Sequence, residues 1–162
     1  MKRDEKSQKR VHSVITSTTI ETILNSTIQA LNTILTMKID LQSPSYTLEP
    51  FLQEDIGVQI GLTGDINGKI LIDSTSSTFS AIGARMFGIP VEGDMLVSFT
   101  GEFGNMFAGH FSTHLVQEFA NIDITPPTVF DGNSTIYGFE KAFLLPLTIE
   151  NAGKMTILFT ID

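Results

Sequence analysis

The sequence predicts an α+β domain in which a mixed, largely antiparallel sheet packs against long helices. Three observations point there. Apolar residues recur at three- and four-residue spacing in two long stretches, one near the N-terminus and one after residue 94. Two segments, near 56–73 and 137–161, read as strand pairs closed by polar, glycine-containing loops. These hairpins also share a pattern: Leu62-Thr63, Gly68-Lys69 and Ile72 recur 85 positions later as Leu147-Thr148, Gly153-Lys154 and Ile157, with Glu150 in the place of Asp65. A long helix precedes each, so a duplicated helix-plus-hairpin unit is expected. The alternative is that two hairpins merely share turn chemistry.

Val11 to about Thr36 carries Val14, Ile15, Ile20, Ile23, Leu24, Ile28, Leu31, Ile34 and Leu35 at helical spacing. Its many threonines weaken intrinsic helix propensity, so packing must hold it. Ile39 to Leu41 begins a strand, and Ser43-Pro44-Ser45 reads as a turn. Ile56 to Leu62 alternates as a strand does, Gly64 to Gly68 is a hairpin loop with an Asn-Gly turn signal, and Lys69 to Asp73 returns. Thr75 or Ser76 can cap a second helix that ends at Phe87, before Gly88 and Pro90. Asp94 is placed to cap a third helix reaching about Ala120. Pro126-Pro127 and Asp131-Gly132-Asn133 punctuate the segment after that helix. Strands are then expected near Tyr137–Ile149 and Lys154–Ile161, around Asn151-Ala152-Gly153.

Composition bounds the function. A chain of 162 residues fits one domain with a core of its own. There is no cysteine, which excludes disulfides and thiolate metal sites. Residues 1–10 hold five Lys/Arg and two Asp/Glu, whereas the remainder is strongly acidic and brings the whole to a net charge of −8. The expected organisation is a flexible basic tail, 1–10, and a single domain, 11–162. An acidic body argues against nucleic acid as a partner. Serine, threonine, His12 and Glu21 break the apolar stretch after the tail, and no run approaches a membrane span. A cytoplasmic protein without membrane insertion is expected.

The third helix carries the chemistry. At about 100° per residue, Leu96, Phe99, Phe103, Met106, Phe107 and Phe111 fall on one broad core face. Ser98, Glu102, Asn105, Gly109 and Ser112 form a narrow polar stripe on the other. Gly101, Gly104 and Gly109 each cost about 1 kcal/mol relative to alanine inside a helix. Gly104 points toward the core. Gly109 lies on the stripe and Gly101 borders it, leaving a bare surface that another protein's backbone can approach. Glu102 and Asn105, three apart, are neighbours. A carboxylate can take a proton or pair with a lysine, and an amide can orient a water. Neither is a nucleophile for a stable bond, but an acyl phosphate is already labile, and positioning one water in line supplies most of what its hydrolysis needs. By itself, a Glu and an Asn on an exposed helix face usually mean a solvated surface.

The motif Ser98-x-x-x-Glu102-x-x-Asn105, within Gly101-Glu102-Phe103-Gly104-Asn105-Met106-Phe107-Ala108-Gly109, resembles the signature of the CheC/CheX/FliY phosphatases. The hairpin Ile60 to Lys69 and the segment Ile122 to Thr128 resemble the corresponding parts of the CheX branch, in the same order. The resemblance implies a CheC-like fold and a chemotaxis phosphatase whose substrate is the aspartyl phosphate of a phosphorylated CheY-like response regulator. It implies that Asn105 aligns the attacking water and that Glu102 pairs with the regulator's lysine. Ser98, Gly101, Gly109 and Ser112 would line the partner-binding surface. The chain needs no cofactor of its own, and the Mg2+ belongs to the regulator. A general-base role for Glu102 is the alternative mechanism.

The resemblance also separates the branches. CheC and FliY carry two such motifs and CheX one. Here Ser17-x-x-x-Glu21-x-x-Leu24 repeats the frame with a leucine where the amide belongs, so one competent site is expected. CheX-like proteins form homodimers through their sheets, and a homodimer is implied. The rival to an enzyme is a non-catalytic binding module of the same fold, as in the middle domain of FliM, engaging a regulator or a flagellar switch component. His110 and His114 stand at metal-binding spacing, but without a third ligand they read as packed or interface residues. No metal site is expected.

Overall fold

The computed structural model describes residues 18–53, 55–119 and 121–162. The expected basic tail and the first part of the expected N-terminal helix lie outside these residues. Among the described residues three helices, α1 (Ile20–Ile34), α2 (Ser76–Phe87) and α3 (Asp94–Leu115), accompany ten strands. These are β1 (Ile39–Leu41), β2 (Ser45–Thr47), β3 (Phe51–Gln53), β4 (Ile56–Gly64) and β5 (Gly68–Ser74), then β6 (Ile122–Ile124), β7 (Thr128–Asp131), β8 (Ser134–Ile136), β9 (Lys141–Ile149) and β10 (Gly153–Ile161).

The main sheet runs β1–β9–β10–β5–β4–β6, with β2 also on β9 and β7 also on β4. Every described strand pair is antiparallel. Side chains alternate across it as a pleated strand requires. Ile70, Ile72, Ile157 and Phe159 face one core with α1, α2 and α3, whereas Leu71, Leu158 and Ala142 face the back. There the two-stranded ribbon β3–β8 covers them with Phe51 and Ile136. This ribbon is not legible in the sequence, because three-residue strands carry almost no periodicity.

The duplication is built into the pairing. Ile72 lies opposite Ile157 in the central β5–β10 pair, and these two are also equivalent positions of the repeat. An antiparallel pair is itself two-fold symmetric, so equivalent residues that face each other mark the internal axis. In the ribbon, Leu52 lies opposite Thr135 at nearly the same sequence offset. The edges exchange accordingly: β1 and β2 of the first unit flank β9 of the second, while β6 and β7 of the second flank β4 of the first.

Both edges carry the same irregularity. Residues 42–44 oppose only two residues of β9, and residues 125–127 oppose only two of β4. Each bulge contains proline, which lacks the N–H a ladder needs and is confined to edges and bulges. Thus Ser43-Pro44-Ser45 is not a turn. The chain bends and continues along β9, with the Gln42 N–H donating to the Pro146 carbonyl at 2.9 Å. Such bulges also blunt exposed edges against stray pairing.

Two other local expectations change. The Asn67-Gly68 signal does not make a tight two-residue turn: the last β4–β5 pair is Leu62 with Gly68, and the left-handed residue is Gly64, at φ 106°. A side chain there would collide with the Asn121 carbonyl, so the position needs glycine. The strand expected from Tyr137 begins only at Lys141.

Candidate functional site

Local chemistry sets the helices around the site. Thr75 caps α2, its hydroxyl accepting the Thr78 N–H at 3.1 Å, as the sequence suggested. Asp55, which the sequence does not single out, accepts the Ser76 N–H at 2.6 Å at the same helix end. Gly88, at φ 77°, closes α2 in the left-handed conformation. The chain then turns through residues 88–93 into α3.

Asp94 does not cap α3. Gly93 holds the cap position with φ 60° and ψ −133°, and Asp94 is the first helical residue, where a carboxylate still favours the positive end of the helix dipole. The helix ends at Leu115 rather than near Ala120. Beyond it the Gln117 and Glu118 N–H groups bond to His114 and Leu115, three residues back, which tightens and ends the last turn.

The face assignment of α3 holds. Phe99, Phe103, Phe107 and Phe111 are buried, Leu96 lies at the edge of the core, and Met106 is half-buried. Phe103 meets Phe79 of α2 edge-on at 5.7 Å, and Phe107 stacks on Phe111 at 5.3 Å. Gly104 lets the helix lie close on the sheet: a Cβ there would come within 2.5 Å of Val58 Cγ2 and 3.2 Å of Pro127 Cβ. This contact sets the depth at which the opposite face stands.

On that opposite face, Ser98, Glu102, Asn105 and Gly109 are exposed. Among the described residues, neither the Glu102 carboxylate nor the Asn105 side-chain amide has a hydrogen-bond partner. Their three-residue separation puts their Cβ atoms about 5–6 Å apart. Nothing lies within 4 Å of where a Cβ of Gly109 would stand, so the surface beside Asn105 is bare. Ser112, the last member of the stripe, and Gly101, which borders it, are half-buried. A Cβ on Gly101 would touch Val129 of β7 at 3.4 Å, and the Ser112 hydroxyl donates to the Gly109 carbonyl at 3.0 Å. The structure therefore brings Ser98, Glu102, Asn105 and Gly109 together as a free ridge, with Gly101 and Ser112 on its flanks.

His110 is exposed, so packing does not explain it, and His114 is half-buried. Among the described residues no group of three or more His, Cys, Asp or Glu is placed to hold a metal ion. No helix among them is long and apolar enough to cross a membrane.

One feature of this ridge goes beyond the sequence expectations. Met95 precedes Ser98 and Glu102 at three and then four residues, on the same stripe, yet it is exposed. Together with Phe87 it opens an apolar groove of about 460 Å³ that ends at Glu102. Its helical spacing is a usable signal, but a methionine among so many core residues is easily taken for one of them.

Known proteins share this arrangement of helices and sheet. The profile of the family Chemotaxis phosphatase CheX matches residues 56–144, a span that contains all of α2, all of α3 and the ridge. The CheY-P phosphatase CheX of Thermotoga maritima is 27% identical over 134 residues, covering 80% of this chain and 86% of that protein. The crystal structure of chemotaxis protein CheX from Desulfovibrio desulfuricans superposes with a TM-score of 0.73 at 20% identity, covering 88% of this chain and 97% of that one. The CheX–CheY–BeF3–Mg2+ complex from Borrelia burgdorferi gives a TM-score of 0.73 at 25% identity with the same coverage. The α+β, CheC-like architecture follows from these likenesses, and the chain belongs to the chemotaxis phosphatase CheX family.

Proposed function

We propose that this chain hydrolyses the aspartyl phosphate of a CheY-like response regulator in the cytoplasm, with Asn105 positioning the attacking water and Glu102 pairing with the regulator's lysine. One observation carries the reading: in a member of a chemotaxis phosphatase family, a carboxylate and an amide stand side by side on an exposed ridge with no partner of their own among the described residues. The water oxygen forms a bond to phosphorus as the bond from phosphorus to the regulator's aspartyl oxygen breaks. The products are dihydrogen phosphate, which carries both hydrogens of the water, and the free aspartate carboxylate. The Mg2+ expected on the regulator would supply charge neutralisation at the phosphoryl group. This chain contributes alignment and orientation. Glu102 is assigned to docking because a loose transition state asks for little proton removal early in the attack.

The ridge suits that role physically. Gly109 and Ser98 add no bulk around Asn105, so the amide can enter a recessed phosphate site. The decisive experiment follows phosphate release from phosphorylated regulators with and without the protein. Wild type should accelerate loss of phosphate, and Asn105→Ala should remove the acceleration while its far-UV spectrum and melting temperature stay unchanged. Binding without acceleration by the wild type would leave a non-catalytic module instead.

We also propose that the chain forms a homodimer through the face bearing the β3–β8 ribbon. Tyr46, Leu48, Leu52 and Tyr137 are exposed on and next to the ribbon. Sedimentation equilibrium of wild type and Leu52→Asp tests this: the wild type should sediment as a dimer and the variant as a monomer.

A further inference from the structure

We infer that the groove beside Glu102 is an apolar anchor site, which takes an uncharged, apolar side chain of the response regulator next to the lysine that Glu102 pairs with. The inference rests on the proposed phosphatase reading and extends it from a single ion pair to a two-part grip. Phe87, at the end of α2, is 59% exposed, and Met95, in the first turn of α3, is 56% exposed. Val91 and Phe99 form the floor between them. Phe87 is not loose: its ring meets Phe99 edge-on at 5.7 Å, so one wall of the groove is pre-set.

Two observations identify the occupant. The first is continuity. Met95, Ser98, Glu102 and Asn105 succeed one another along a single face of α3, and Glu102 itself lines the groove, so a partner that covers Glu102 stands at the groove's edge. The second is charge. The groove is apolar in its floor and walls, but its polar rim is supplied by the carboxylates of Asp94 and Glu102, with no lysine or arginine among its lining. A hydrophobic slot with an anionic rim fits an apolar side chain flanked by a cation. That is the arrangement a regulator presents if its lysine reaches Glu102.

An anchor of this kind answers a problem in the docking scheme. An ion pair at an exposed carboxylate is worth little by itself, because water screens it. Filling the groove removes water from one side of Glu102 and fixes the partner's orientation along α3, which the amide needs in order to aim a water. The groove acts on binding and positioning and touches no reacting atom.

The test uses the full-length protein and a CheY-like regulator that the wild type dephosphorylates. Steady-state kcat and KM are measured for Met95→Ser, Phe87→Ser and Asn105→Ala. Dissociation constants are measured against the same regulator held in its active form by beryllofluoride and Mg2+. Met95→Ser and Phe87→Ser should raise KM and the dissociation constant by about tenfold, with a much smaller change in kcat. Asn105→Ala should lose turnover and keep its affinity. Met95 is exposed and stands outside the core, so Met95→Ser decides the question should Phe87→Ser disturb the contact with Phe99. If Met95→Ser leaves both KM and the dissociation constant within twofold of wild type while Asn105→Ala is inactive, the anchor is wrong and the phosphatase assignment survives. If Asn105→Ala turns over normally, the assignment of the amide fails, and the dissociation constants alone decide the groove.

Discussion

Ile72 and Ile157 face each other across the centre of the sheet and are the same position in the two halves of the chain. The sheet is therefore close to two-fold symmetric, but the helices it carries are not chemically equivalent. α1 ends at Ile34 and α3 at Leu115, both against the core, and the frame Glu21, Leu24 in α1 matches Glu102, Asn105 in α3. The proposed motif is complete in α3 alone of the two, because α1 has Leu24 where α3 has Asn105.

Converting the silent position should not create a second site. Leu24 is half-buried against the core, whereas Asn105 is exposed. Leu24→Asn trades apolar contact for an amide that must partly desolvate. We expect a loss of about 1–3 kcal/mol in stability and no rescue of phosphatase activity when it is combined with Asn105→Ala. Chemical denaturation and phosphate release measure the two halves of this prediction.

Glu102→Gln separates docking from general-base catalysis. If the carboxylate pairs with a lysine, the amide variant should weaken binding of the activated regulator by about tenfold and flatten the dependence of KM on ionic strength, with kcat little changed. A general base would instead show as a fall in kcat and a lost acidic limb in the pH–rate profile. Salt titrations of KM for both proteins give the answer.

Gly104 and Gly109 of α3 should respond differently to alanine. Gly104→Ala drives a methyl group into Val58 and Pro127 and should destabilise the fold by about 1–3 kcal/mol, lifting α3 from the sheet. Gly109→Ala meets only open space, so it should stabilise the helix by about 1 kcal/mol. The same methyl group stands on the ridge beside Asn105 and should weaken regulator binding. Thermal melts together with KM values would show stability and function moving in opposite directions at Gly109.

Truncating the aromatic row should be costly. Phe107 is fully buried and stacked on Phe111, so Phe107→Ala should cost about 3–5 kcal/mol. Thr75→Ala removes the hydroxyl that caps α2 and bonds the Ser77 and Thr78 hydroxyls, and should cost about 1 kcal/mol. Urea unfolding of both variants tests whether the core under α3 or the helix ends dominate stability.

Much of the molecule is legible in the amino-acid order. The 3.6-residue period of α3 separates Phe103 and Phe107 from Glu102 and Asn105 without tertiary information, because a helix long enough to repeat its pattern fixes which residues share a face. The hairpin repeat is readable for the same reason, since turn residues and strand alternation are local. Helix ends are less so: Asp94 looks like a cap, but Gly93 takes that place, because capping depends on backbone angles that composition only hints at.

Tertiary structure alone decided the rest. That Ile72 pairs with Ile157, that residues 42–44 bulge along β9 rather than turn, and that the ribbon β3–β8 covers the back of the sheet all depend on long-range pairing, which leaves no period in the sequence. The groove at Glu102 is of the same kind. Phe87 and Met95 line an open slot because the turn at Gly88 and Gly93 sets the end of α2 beside the start of α3. The amino-acid order placed Glu102 and Asn105 on one line. Packing between distant segments determined what lies beside them.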